Sequence, residues 1–174
     1  MRKLLVLMVC SILMFSGCGE NNSKVKQTYT SYNDKFTVMA NSGWQEAERG
    51  TLNTSADIEL ADFKNEKFFV ALMENKEDFN WTYDEYVNNT IEANSSVYPG
   101  INDAEKNDIK IGEYNCKYVE LKVTTESSGI NTYMQIYYVE TENYYGQLLT
   151  WTLYSKKDEY RDEFIELVKT FKQK

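Results

Sequence analysis

The sequence predicts an α+β fold, a mainly antiparallel sheet with two helices available to cover it. Three observations carry that expectation. Strand-like runs at 114–125, 130–140 and 145–153 follow one another with short polar turns between them, as in a meander. Several of the runs are apolar on both faces, so the sheet needs a cover on each side. Two amphipathic helical stretches, one before the meander and one after it, are available as those covers.

The first twenty residues, MRKLLVLMVCSILMFSGCGE, read as a leader rather than as part of the fold. Arg2 and Lys3 precede an apolar run from Leu4 to Phe15. Its twelve residues fall short of the roughly 20 needed for a membrane-crossing helix and match a signal-peptide core. Phe15-Ser16-Gly17-Cys18 resembles the lipobox of bacterial lipoproteins, in which the cysteine is acylated and becomes the new N-terminus. The expectation is a signal peptide over 1–17 and lipid, with palmitate-type chains, on Cys18. The protein would then sit on the outer face of the cell membrane of a Gram-positive bacterium. Each buried methylene contributes about 0.8 kcal/mol and one chain binds only marginally, so two acyl chains make such an anchor stable.

Residues 18–28 are expected to be the lipidated cysteine and a polar tether, leaving 29–174 as one domain. A strand at 36–40 follows the turn signal Asn33-Asp34, and Gly43-Trp44 follows Asn41-Ser42. Residues 57–63 alternate, with Ile58 and Leu60 opposed to Asp57 and Glu59, which predicts one polar face. Residues 68–73 are apolar throughout and are expected to be covered on both sides. Thr82-Tyr83-Asp84-Glu85 is a capping-box signature, in which the hydroxyl caps the helix start and the carboxylate reaches back. Tyr83, Tyr86, Val87 and Ile91 recur at helical spacing, and Pro99-Gly100 stops the unit. Val119, Leu121 and Val123 share one face of the first meander strand; Leu149, Trp151 and Leu153 share one face of the last. Ser155-Lys156-Lys157-Asp158 is read as the cap of a final helix with Tyr160, Phe164, Leu167, Val168 and Phe171 on its stripe.

Composition excludes several classes of function. The chain has no histidine, which removes the commonest general base, the commonest metal ligand and every Ser-His or Cys-His pair. Without the leader, 17 basic residues face 27 acidic ones, a formal charge of −10. Such a surface disfavours nucleic acid and electrostatic docking on anionic lipid. Of the three cysteines, Cys10 leaves with the leader, Cys18 takes lipid and Cys116 has no partner, so no intrachain disulfide is expected. Cys116 lies in a strand run, where a buried inert thiol is expected rather than a nucleophile.

From about Tyr29 to Lys172 the domain resembles the PsbP-like family, which includes small lipoproteins of Gram-positive bacteria. The points of resemblance are Asp34-Lys35-Phe36 leading into the first strand, Gly43-Trp44 just after it, and Ala56-Asp57-Ile58. Lys76-Glu77-Asp78-Phe79 then precedes the helix bearing Glu85-Tyr86; the meander contributes Tyr137-Tyr138-Val139-Glu140-Thr141-Glu142 and Trp151-Thr152-Leu153. Asn41 stands where the family often has proline. None of these is a catalytic motif. The resemblance implies a three-layer α-β-α sandwich around a mainly antiparallel sheet. Its photosynthetic members are extrinsic, non-enzymatic accessories of a membrane complex, which implies a binding module.

Candidate sites are few. Asp103, Glu105, Asn107 and Asp108 begin like a calcium loop, but Asp108 stands where glycine belongs and Tyr114 where the bidentate glutamate belongs. No metal site is expected. Asp57, Glu59 and Asp62 are expected to belong to a polar sheet face rather than to a catalytic pair. Tyr133, Tyr137, Tyr138, Tyr144, Tyr145 and Trp151 crowd the meander, where packing is their main expected use. Tyr137, Tyr145 and Trp151 are the candidate ligand-contacting side chains. The expected function is an extracytoplasmic, lipid-anchored, non-catalytic module that needs no cofactor and binds an envelope or secreted protein. The alternatives are a binder of a sugar or peptide on the aromatic meander, and a histidine-free hydrolase.

Overall fold

The computed structural model describes residues 26–125 and 128–174. The leader 1–17, Cys18 and the tether up to residue 25 lie outside these residues. In chain order the elements are β1 (Lys26–Thr30), β2 (Phe36–Asn41), β3 (Gln45–Glu46), β4 (Ile58–Asp62), β5 (Lys67–Asn75), α1 (Tyr83–Asn94), β6 (Asn107–Ile111), β7 (Tyr114–Thr124), β8 (Asn131–Glu140), β9 (Tyr144–Leu153), α2 (Lys157–Val168) and β10 (Lys172–Gln173). The architecture is α+β, as predicted.

Seven strands form one antiparallel sheet in the order β3-β4-β5-β9-β8-β7-β6. The meander β7-β8-β9 is its centre, and β5 returns from earlier in the chain to pair along β9 from Phe68↔Trp151 to Asn75↔Tyr144. Gly146 faces Met73 in this register, and a Cβ there would collide with the Met73 thioether. Only glycine lets the two strands approach so closely at that point.

Alternate side chains of β8 feed two separate cores, which is why the run reads as apolar throughout. Tyr133, Tyr137 and Val139 point to one side with Phe36, Val38, Ile58, Leu60, Phe69 and Leu148. That side is closed by α2, through Tyr160, Phe164, Leu167 and Val168, and by a small sheet of order β1-β2-β10. Met134, Ile136 and Tyr138 point to the other side, under α1. Burying Tyr86, Val87 and Ile91 of α1 there contributes roughly 1.5–3 kcal/mol each. The cover on the α2 side is therefore mixed, part helix and part sheet.

The capping box of α1 forms as its sequence requires: the Glu85 amide donates to the Thr82 hydroxyl, and the Thr82 amide donates to the Glu85 carboxylate at 2.8 Å. The Tyr83 hydroxyl donates to the Tyr138 carbonyl at 2.7 Å and accepts from the Lys117 amide at 2.9 Å. This stitches the start of α1 to both β8 and β7.

Three expectations are corrected. Strand β1 begins at Lys26 and pairs with β2 from Lys26↔Asn41, so residues 26–28 are sheet rather than tether. Strand β4 has no polar face: all five of its residues are buried, because residues 47–56 fold across it. Helix α2 starts at Lys157 after a 3-10 turn (Tyr154–Lys156), with no side-chain cap, so the Ser155-Asp158 capping arrangement does not form. Phe171 lies beyond the end of α2 and is still fully buried.

Candidate functional site

The three aromatic candidates do not share a surface. Tyr137 is fully buried on the α2 side, stacked on Tyr118 at 5.3 Å, with its hydroxyl donating to Gln135 Oε1 at 2.8 Å. Burial pushes its phenol well above the usual tyrosine range. Tyr145 and Trp151 lie on the opposite face, six residues apart along β9. Tyr145 stacks on Tyr86 at 4.7 Å and donates to the Trp81 carbonyl. Trp151 stacks on Phe68 at 5.3 Å. Strand alternation separates Tyr137 from the other two, and distance along β9 separates Tyr145 from Trp151. The fourth anticipated position, Cys18, lies outside the described residues.

Polar groups gather elsewhere, in three buried arrangements. The first is Lys67, whose ammonium sits 2.8 Å from Glu163 Oε1 and 3.3 Å from Asp62 Oδ2. It lies over the rings of Trp44 and Tyr160 at 5.2 and 4.9 Å. The Trp44 indole N–H donates to the same Glu163 oxygen, and the Asn65 side chain donates to Asp62. A Cβ on Gly43 would lie 2.8 Å from the Asp62 carboxylate, which gives the Gly43-Trp44 pair its physical cause. An ammonium held this way has no lone pair for attack or for proton abstraction.

The second arrangement is Glu59. Its carboxylate is fully buried in β4 and accepts from the amides of Gly50, Leu52 and Asn53 and from the Tyr32 hydroxyl. It holds the 47–56 loop rather than serving as an acid or base. Burial, with this carboxylate beside it, pushes the Tyr32 phenol up to about 12. The third is Gln135, which donates to the Tyr133 hydroxyl and accepts from Tyr137 and Thr150. Cys116 is buried, and burial pushes its thiol up to about 12, away from nucleophilic use at neutral pH. Among the described residues no group of three or more Cys, Asp or Glu is placed to hold a metal ion.

Sequence reasoning missed the Lys67 arrangement because its partner Glu163 lies 96 positions away. The available signal was a lysine opening the otherwise apolar run Phe68 to Met73. Asp57 and Asp62 also proved structural. Asp57 accepts from the Met73 amide and the Asn33 side chain.

Among the concavities of the described residues are two of about 370 Å³ each. One lies at the β8–β9 turn and is polar: Lys35, Asn75, Glu77, Asn143, Tyr144 and Gln173 line it. Lys35 donates to the Tyr144 hydroxyl at 2.6 Å, and the buried Gln173 Oε1 has no hydrogen-bond partner. The other runs between β2 and α2, with Met39, Trp44 and Leu167 on its floor and Lys26, Asp162 and Glu166 at its rim. Among the described residues no helix is long and apolar enough to cross a membrane.

A scan against protein-family models and a search of curated proteins gave no match. Solved structures do match. The chain is similar to cyanobacterial PsbP from Synechocystis sp. PCC 6803, with TM-score 0.58 and 10% identity over 91% of this chain and 98% of that one. It is similar to LpqN, involved in cell envelope biogenesis of Mycobacterium tuberculosis, with TM-score 0.58 and 9% identity over 87% and 92%. A Bacteroides thetaiotaomicron protein gives TM-score 0.59 and 15% identity over 84% of this chain. The match spans 48% of that protein's length. The fold is PsbP-like.

Proposed function

We propose that this chain is a lipid-anchored, extracytoplasmic accessory module that binds an envelope or secreted protein and catalyses nothing. The observation that carries the reading is how the polar side chains are used. The ionic groups Glu59, Asp62 and Lys67, all buried, and Glu163, half-buried, are engaged with one another or with backbone, while the polar concavity at the β8–β9 turn lies open at the surface. An open surface lined by amides, lysine and tyrosine suits recognition of another polar surface better than conversion of an enclosed substrate. The lipobox-like Phe15-Ser16-Gly17-Cys18 supports the anchor, and the likeness of fold to a protein of cell envelope biogenesis supports the setting.

Crosslinking in intact cells followed by mass spectrometry tests the reading. One reproducible partner is expected, lost when Cys18→Ala abolishes the anchor. Turnover of a defined substrate by the purified chain, with no partner recovered, overturns it. The unpartnered Gln173 Oε1 favours a second reading, a small polar ligand in the same concavity. A ligand at 100 times its Kd adds about 2.7 kcal/mol and raises Tm by several degrees, which a thermal-shift screen detects.

A further inference from the structure

Among the described residues three large apolar side chains are exposed: Phe63 at 53%, Ile130 at 40% and Tyr154 at 38%. They come from three different connections, and the antiparallel sheet brings all three to one end. Phe63 follows the end of β4, Ile130 precedes β8, and Tyr154 follows β9. The register confirms the grouping, since Phe68 pairs with Trp151, Met134 with Trp151, and Thr132 with Leu153. Between the three, Phe68, Trp151, Leu153 and Val123 are only partly covered. Phe63 packs edge-on to Phe68, which stacks on Trp151.

The chain enters the domain at this same end. Lys26 pairs with Asn41, the Asn41 carbonyl accepts from the Trp44 amide, and Gly43 abuts Asp62, the residue before Phe63. Cys18 is eight residues before Lys26, and eight residues reach at most about 29 Å. Lysines accompany the apolar groups: Lys64 follows Phe63, and Lys122 lies 4.9 Å over the Tyr154 ring. Aromatic side chains with lysines beside them suit a membrane interface, where rings sit at headgroup level and lysine stems lie along apolar surface.

We infer that the end of the sheet bearing Phe63, Ile130 and Tyr154 rests against the lipid surface, so that the domain is docked and oriented, not merely tethered. The inference rests on the proposed anchor at Cys18. It does not require net electrostatic attraction, which an acidic chain lacks. Contact is through apolar side chains, and the end carrying the β8–β9 concavity then faces outward.

The tryptophans provide the test. Trp151 belongs to the docking end, whereas Trp81 lies beside Tyr145, six residues or roughly 20 Å up β9. Trp44 is buried and common to all variants. The full acylated chain is reconstituted into vesicles of mixed phosphatidylcholine and phosphatidylglycerol containing brominated acyl chains. W81F, which keeps Trp151, is expected to lose emission; W151F, which keeps Trp81, is expected to keep it. In the W81F background, adding F63S and I130S should restore emission while the chain still sediments with vesicles. Equal quenching of the two tryptophans, or of neither, on a chain that sediments overturns the orientation and leaves the anchor standing. A chain without acyl mass that stays in the supernatant overturns both.

Discussion

Replacing Glu59 with glutamine tests whether one carboxylate holds the 47–56 loop on the sheet. The carboxylate accepts from Gly50 on Oε2, from Leu52 and Asn53 on Oε1 at 2.6 and 2.9 Å, and from the Tyr32 hydroxyl at 3.3 Å. Glutamine keeps the shape, so no cavity forms. Its carbonyl can retain Leu52 and Asn53, but each bond to a charged acceptor becomes a neutral one and weakens by about 1 kcal/mol. Its amide group then faces Tyr32 and Gly50. The tyrosine hydroxyl can turn round and accept, whereas the Gly50 N–H cannot. An amide deprived of its acceptor costs about 1–3 kcal/mol, toward the lower end here because Gly50 is partly open to water. The expected loss is about 3–4 kcal/mol, corresponding to roughly 6–16 °C in Tm for a domain of this size. Urea unfolding measures the loss, and limited trypsin digestion localises it, because Arg49 sits in the loop and should become cleavable before the rest of the domain opens. A change below about 1 kcal/mol, together with unaltered cleavage after Arg49, would refute the latch.

Three further outcomes are expected. Lys67→Met should cost about 3–5 kcal/mol, because it leaves Asp62 buried and Glu163 half-buried without their cation; adding Asp62→Asn should recover part of the loss in urea melts. Thr82→Ala should cost about 1 kcal/mol through loss of the α1 cap. The Thr82 amide and hydroxyl hold the Glu85 carboxyl below its usual 4.5. Its contribution is therefore present above that value and lost as pH falls below it. Glu85→Gln should flatten that part of a circular-dichroism pH titration, and an unchanged profile would count against the assignment. Cys116 should resist a thiol reagent at pH 8 until the domain unfolds, and reductant should leave Tm unchanged, since the thiol is buried and has no disulfide partner. Rapid labelling of the native chain would contradict the burial, and a Tm that falls with reductant would contradict the free thiol.

The parts of the fold written in local chemistry were legible in advance. The Thr82–Glu85 box, the both-faces-apolar β5 and the β7-β8-β9 succession each follow from neighbouring residues, and each appears within a residue or two of its expected place. What failed depended on distant chain. Residue-by-residue alternation at Ile58 to Asp62 imitates a half-exposed strand, and nothing local announces that Gly50, Leu52 and Asn53 will turn their amides onto Glu59. The crowding of aromatics in the meander was visible, but their division between two cores follows from strand parity once both faces are known to be covered. Tyr137 and Tyr145 are eight residues apart on neighbouring strands, yet they belong to different cores. The apolar end formed by Phe63, Ile130 and Tyr154 could not be read at all, because it exists only when three turns are assembled side by side.

The small sheet β1-β2-β10 also sets a schedule. Strand β2 finds its first partner, β1, within a dozen residues, but its second edge is closed by Lys172↔Thr37 and Gln173↔Phe36. The Phe171 ring arrives with them to stack on Phe36 at 5.7 Å. At the usual 5–20 residues per second, synthesis of the intervening stretch occupies roughly 7–27 s. Throughout that interval the α2-side core lacks both its last strand and its last aromatic ring. The export proposed above would benefit from this delay. The contact that completes the core cannot form until almost the whole domain has been made, so premature folding is held off by the order of the sequence itself.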